Sequence, residues 1–248
     1  LDVETADTDT YGVVLVPRFI DGLVISVDYW DVTIEDAISA VGASDILKGC
    51  YDSASYPNLG FCNSFTRRAA DGGLNFLETG QINFANLEAK GVDVSASYEF
   101  AVGDNMFTVR AVASRQSNLD CFFNPLDEAD VDPELKEVQQ PKTTGMLSLA
   151  WDRGPLTLGM QAIYQSKQSV DEIESVLGLG TNQALYGDAG FFDSVMIADL
   201  YGNYRSNDEL SLFAAINNVT DEEPYATQTA WPVGPRGRTF VFGFSLSI

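Results

Sequence analysis

The side chains with the widest chemical scope in this sequence are three cysteines, Cys50, Cys62 and Cys121, and 36 Asp and Glu residues, with no His. Hydrolytic triads need an imidazole or an equivalent base, so the common versions are excluded. With no His and no second Cys pair, a zinc site of the usual type is excluded as well. Paired carboxylates can cleave glycosides. With 36 acids in 248 residues, however, chance pairs are plentiful, and no enzyme is read here. The run Asp120-Cys-Phe-Phe-Asn-Pro-Leu-Asp-Glu-Ala-Asp-Val-Asp-Pro-Glu134 offers hard oxygen ligands of the kind calcium takes. It lacks a glycine-centred ligand loop, so a solvated acidic loop is expected, with neither metal nor cofactor. Asn218-Val-Thr220 matches a glycosylation acceptor and is read as unmodified. Cys50 and Cys62 lie in a segment rich in Ser, Asn, Gly and Pro, which suits a disulfide stapling a loop in an oxidising compartment. The alternative is three unrelated reduced thiols.

The balance of the chain narrows its partners. A net charge of −22, from 36 acids against 14 bases, excludes a nucleic-acid binder, because phosphates need Lys and Arg. Aromatics at 11% and recurring apolar residues exclude disorder. No apolar run approaches the roughly 20 residues of a spanning helix. Barrel strands are about 10 residues of alternating character, so a membrane location stays open. The chain starts at Leu1, and we expect a processed product or a piece of a larger protein.

Alternation is strongest at the C-terminus. Phe240, Phe242, Phe244, Leu246 and Ile248 point one way, and Val241, Gly243, Ser245 and Ser247 the other. An aromatic strand of this kind is an aggregation hazard in water and a wall element in lipid. Period-two patterns predict strands near 9–17, 22–36, 83–100, 105–119, 140–152, 155–169, 192–206, 208–219 and 237–248. Within the third, Val92, Val94, Ala96, Tyr98 and Phe100 oppose Asp93, Ser95, Ser97 and Glu99. The second slips phase near Trp30-Asp31, which reads as a bulge. In the eighth, Phe213 breaks an otherwise polar face. The only helix expected is a short one within 128–138.

The connections alternate without exception. Residues 17–22, 101–105, 152–155 and 205–208 read as tight turns, and 37–82, 120–139, 170–191 and 220–236 as long loops. Short periplasmic turns and long extracellular loops are the arrangement of a transmembrane barrel, and a soluble sandwich has no reason for it. The lumenal acids then face water, since an ionised side chain in hydrocarbon costs kilocalories. Tyr11, Tyr29, Trp30, Tyr98, Trp151, Tyr201 and Tyr204 fall near strand ends or in outward phase, as interfacial girdles require. The fold class expected is all-β, a transmembrane antiparallel barrel. About nine strands leave two open edges in lipid, so more chain must complete it.

Four stretches, in order, resemble the TonB-dependent outer-membrane receptors. They are Gly22-Leu-Val-Ile-Ser-Val-Asp-Tyr-Trp-Asp-Val-Thr-Ile-Glu-Asp-Ala-Ile38, Asn86-Leu-Glu-Ala-Lys-Gly-Val-Asp-Val-Ser-Ala-Ser-Tyr98, Ile216-Asn-Asn-Val-Thr-Asp-Glu-Glu-Pro-Tyr225 and Gly234-Pro-Arg-Gly-Arg-Thr-Phe240. The Cys50–Cys62 loop followed by Arg67-Arg68 also resembles members from oligotrophic proteobacteria, whereas Ile248 departs from the usual terminal aromatic.

The resemblance implies that residues 1–248 form the C-terminal portion of a twenty-two-stranded barrel in a Gram-negative outer membrane. The plug domain and the TonB-coupling segment would lie outside this chain. It implies active uptake of a scarce nutrient such as an iron chelate, cobalamin or oligosaccharide. Its partners would be outer-membrane lipid, small-molecule cargo, the remaining barrel and plug, and the TonB complex. In such a transporter, loops and upper strands bind the cargo, which makes Arg67, Arg68, Asn83, Asn86, Arg115, Asn118 and Trp231 the candidate ligand contacts. Arginines pair with carboxylate or phosphate, and the indole stacks on rings. Arg236 and Arg238 are read as structural. The competing readings are a passive porin and a soluble secreted all-β binding or adhesin domain.

Overall fold

A computed structural model describes residues 1–52, 57, 60–122, 130–170, 190–225 and 231–246. In chain order the elements are β1 (Thr5–Leu15), β2 (Leu23–Val41), α1 (Ala43–Tyr51), a 3-10 turn (Gly60–Ser64), β3 (Phe65–Arg67), β4 (Leu74–Leu77), β5 (Gly80–Val102) and β6 (Asn105–Phe122). They continue as β7 (Asp132–Pro133), β8 (Thr143–Arg153), β9 (Leu156–Gln165), β10 (Gln168–Ser169), β11 (Phe191–Phe192), β12 (Val195–Arg205), β13 (Leu210–Asn217) and β14 (Thr239–Leu246). One sheet runs in the order β1-β2-β5-β6-β8-β9-β12-β13-β14, with β7 beside β6, and the pairs β3–β4 and β10–β11 stand apart from it. All nine expected strands are present, each beside its neighbour in sequence.

The turns explain the meander. Gly103 and Gly154 take positive φ, 58° and 54°, at the first position of two-residue turns, the glycine-requiring position of a II′ hairpin. At the β12–β13 turn, the Asn207 side chain accepts the backbone N–H groups of Glu209 and Leu210.

The expected helix is not where the sequence placed it. Residues 130–138 hold β7 and turns, and the helix is α1, inside the first long connection. Its N-cap, Gly42, offers no side-chain bond, so the start signal is confined to that glycine and to Asp45 in the first turn. Strand β2 runs through the phase slip near Trp30, and its left-handed residue is Asp36, with φ of 54°. Residues 123–129 of the acidic run at 120–134 lie outside the described residues.

Contacts divide the chain into two compact units. The first is Leu1–Asp9, Asp31–Ala89 and Asn118–Pro133, and it holds Ala37, Val41, Ile46, Cys50, Ala85 and Cys121, all buried. The second is Thr10–Trp30, Lys90–Ser117 and Glu134–Ile248, where the buried apolar residues described are Val195 and Val233.

Register gives the second unit two chemically distinct faces. One row crosses Phe107, Trp151, Leu158, Gly202, Ala214 and Phe242. The adjacent row on the other face crosses Thr108, Ala150, Gly159, Tyr201, Ala215 and Val241. On the first face Phe240, Phe242, Phe244 and Leu246 are 60%, 77%, 69% and 57% exposed. Burying one such side chain is worth about 1.5–3 kcal/mol, so water is an unfavourable neighbour for this face.

Aromatics on the opposite face cover cross-strand glycines. A Cβ at Gly159 would strike the Tyr201 ring, and one at Gly243 the Phe213 ring. Tyr201 therefore shares no face with Tyr204 and does not belong to the outward girdle. Phe213, which broke the expected polarity, fills the space that Gly243 leaves.

Candidate functional site

The first unit carries most of the expected ligand residues, and its side chains are heavily engaged. The Cys50–Cys62 disulfide forms, with Cα atoms 4.7 Å apart, and joins α1 to the 3-10 turn. Ile46, Gly49 and Cys50 form the buried face of α1. The β3–β4 hairpin follows at once. Arg67 Nε donates to the Tyr51 hydroxyl at 2.7 Å and Nη1 to the Gly72 carbonyl at 2.8 Å. Its guanidinium also lies 5.3 Å from the Tyr51 ring and 5.6 Å from the Phe65 ring. Arg67 thus clamps helix to hairpin.

Arg68 makes a two-pronged pair with Asp71, Nε–Oδ1 at 3.0 Å and Nη2–Oδ2 at 3.1 Å, on an exposed turn. That guanidinium, followed by the Gly73 N–H, holds the Asp71 carboxyl below its ordinary pKa.

Asn83 and Asn86 converge on one backbone feature. Asn83 Nδ2 donates to the Asp36 carbonyl at 2.7 Å and to the Asp2 carbonyl at 3.0 Å, and Oδ1 accepts Asp2 N–H at 2.7 Å. Asn86 Oδ1 accepts the Asp36 N–H at 3.3 Å. The two asparagines pin the left-handed Asp36, and Glu4 accepts the neighbouring Ile38 N–H. Asn118, near the end of β6, makes no side-chain hydrogen bond among the described residues.

In the second unit Trp231 Nε1 donates to Gln168 Oε1 at 3.3 Å. Gln168 is fully buried and also accepts the Gln139 N–H at 2.6 Å. Tyr225 stacks on Phe192 with centroids 4.5 Å apart, and its hydroxyl donates to the Asp193 carbonyl. Burial, aided by the nearby Asp193, raises the Tyr225 pKa above its ordinary 10.0. Arg115 pairs with Thr143 and so shares the apolar face with Ala113, Ala111, Val109 and Phe107.

The near-terminal Asn–Asp–Glu segment is a clasp. Asn218 donates to the Glu222 carbonyl and accepts its N–H, both at 2.9 Å, while its own N–H reaches Asp199 at 2.7 Å. Asp221 accepts the Arg238 N–H at 2.8 Å, which ties the last long connection to the start of β14.

One cavity of about 530 Å³ opens on the polar face of the second unit. Asp28, Asp93, Ser95, Ser114 and Thr144 surround a floor that includes Val112, Met146 and Ile163. Alternation marks Asp93 and Ser95 as wet in the sequence. Asp28 carries the same signal, because it alternates with Val27 and Tyr29, and its Oδ2 accepts the Ser26 hydroxyl.

A paired sheet with one apolar face, one polar face and long connections at one end calls for comparison with membrane barrels. The β-barrel of TonB dependent receptor-like proteins matches residues 1–219 of this chain. The chain belongs to the TonB-dependent receptor β-barrel family. No curated protein sequence matches it significantly.

Among solved structures, the ferric enterobactin receptor of Pseudomonas aeruginosa, in complex with enterobactin, is 17% identical. Its TM-score is 0.63, and the match covers 99% of this chain and 32% of that one. The pyoverdine outer membrane receptor FpvA of Pseudomonas aeruginosa PAO1 is also 17% identical, with a TM-score of 0.55 and coverages of 98% and 30%. The FrpB iron transporter of Neisseria meningitidis is 15% identical, with a TM-score of 0.54 and coverages of 98% and 31%. The chain spans about a third of the length of these structures, and the likeness establishes the barrel fold.

Proposed function

We propose that this chain forms part of the wall and ligand-gathering loops of an outer-membrane receptor that imports a scarce nutrient with energy delivered through TonB. The observation that carries the reading is the family match over a sheet with one apolar face and one wet face. Its partners are outer-membrane lipid, the remaining barrel, a plug domain, and TonB acting through that plug. Members of the family are transport receptors and not enzymes.

Cargo contacts are assigned to the loop-bearing end. Arg68 supplies an exposed guanidinium, Asn118 an amide without a partner among the described residues, and Trp231 a ring whose N–H is already anchored. Arg67, Asn83 and Asn86 shape the surface that carries them. The net charge of −22 favours neutral or cationic cargo, whether chelate, cobalamin or sugar.

The test is uptake of labelled candidate cargo by cells carrying the full receptor, with and without TonB. Accumulation should require both. Accumulation without TonB would make the protein a passive pore.

A further inference from the structure

We propose that the cavity on the wet face is a subsite for a cationic group on the cargo, an ammonium or guanidinium carried by an apolar body; the inference deepens the transport reading above and rests on it. The lining is built in two rows. Val112, Met146 and Ile163 pair across β6, β8 and β9 and form an apolar floor. The next row toward the loops sets Ser114 opposite Thr144, and Asp28 and Asp93 bring carboxylates to the cavity from β2 and β5. Thr144 and Met146 stand near the loop end of β8, so the cavity lies in the half of the wall that cargo meets first.

The two carboxylates are free to take a cation. Asp93 is exposed and makes no hydrogen bond or ion pair among the described residues. Asp28 is half-buried and holds the Ser26 hydroxyl at 2.6 Å. No Lys or Arg lines the cavity among the described residues. Arg110, farther toward the turns on the same face, is already paired with Glu99 at 3.1 Å. Charge-assisted hydrogen bonds are the strong ones, and low-dielectric walls strengthen them further. Calcium-like ions take six or more oxygen ligands, and among the described residues no third acid joins the two. Hydroxyls and an apolar floor complete the lining instead, which suits an organic cation.

The loop-side edge carries unmet polar atoms. A Cβ at Gly91 would strike the Trp30 ring, so the indole lies across β5. Trp30 follows Asp28, and Gln116 follows Ser114, by two residues in the same phase. Trp30 Nε1 and Gln116 Oε1 are shut from solvent and have no hydrogen-bond partner. Such atoms are costly to leave unmet, which marks this edge as serving a polar occupant rather than packing. The cargo is therefore cationic or zwitterionic, with its charge held at Asp28 and Asp93.

The experiment uses the full receptor in detergent micelles and two probes. One is dansylcadaverine, an aromatic fluorophore with a primary ammonium on an alkyl stem, and the other is its N-acetylated, uncharged form. Titrations read by the emission shift should show the amine bound about tenfold more tightly, the order of one charge-assisted hydrogen bond. Asp93→Asn should lose most of that preference and Asp28→Asn part of it. Asp152→Asn, on the same face near the turns, should keep all of it. Met146→Trp, which fills the floor, should weaken both probes alike. Equal binding of the two probes by wild type, as when a basic side chain of the plug already holds the carboxylates, overturns the proposal. So does a preference that survives Asp28→Asn and Asp93→Asn together. TonB-independent accumulation in cells, alongside an intact amine preference, would instead overturn the transport reading beneath it.

Discussion

The two units of this chain are stabilised by different means. The first has a small interior of Ala37, Val41, Ile46, Ala85 and Cys50, a disulfide, and an arginine set against two adjoining rings. The second is almost all sheet, with Val195 and Val233 as its buried apolar residues among those described. Its apolar surface is largely turned outward, and the order comes from unbroken backbone pairing across six strands. A wall of this kind draws its stability from ladder and solvent, whereas the stapled region has to supply its own core.

That contrast can be broken from either side. Replacing Cys50 and Cys62 together by Ser removes a short covalent loop worth about 3 kcal/mol to the folded state. Amide exchange in α1 should accelerate sharply while β12–β14 stays protected. Loss of protection in both would mean that the wall depends on the staple. The converse change is Gly243→Val, which drives a branched side chain into Phe213. It should cost about 1–3 kcal/mol, read as a lower urea midpoint for unfolding of the sheet, and leave α1 exchange unchanged.

A smaller effect sharpens the role of Arg67. Truncation to Ala removes two hydrogen bonds and two ring contacts and should cost about 1–2 kcal/mol. Faster proteolysis between residues 67 and 73 reports the loss. If cargo affinity falls while proteolysis does not change, Arg67 touches the ligand and is more than a clamp.

The smallest effect is at Tyr225. Its raised pKa means that the fold favours the neutral phenol. The associated stability is fully present below the ordinary tyrosine pKa of 10.0 and is lost as pH rises through the raised value. Absorbance titration should show one late phenol, and Tyr225→Phe should remove it.

The wall was legible because its physics is periodic. Alternating residues in β5 and β14 and glycine-bearing tight turns carry strand, face and topology in a window of a few residues. Single positions on that wall were less so. Tyr201 was read into the outward girdle and Phe213 as a break in a polar face, because the glycines they cover, Gly159 and Gly243, lie on neighbouring strands distant in sequence. The first unit was harder to read. Helix α1 has nine residues and no capping side chain, and its order comes from a disulfide and contacts made elsewhere in the chain. Asn83 and Asn86 were visible as polar upper-strand residues. That they serve the backbone of Asp36, some fifty positions away, could be learned only from the pairing.

The central claim is that the even-numbered residues of β12 face lipid and the odd-numbered ones face water. The most direct test is spin-label accessibility at single cysteines placed from Ala198 to Arg205, in a Cys121→Ser background of the full receptor in membranes. The account predicts a period of two, with oxygen reaching Ala198, Leu200, Gly202 and Tyr204 and a polar nickel chelate reaching Asp199, Tyr201, Asn203 and Arg205. Uniform access of the chelate to both sets would contradict it, because the apolar face would then stand in water.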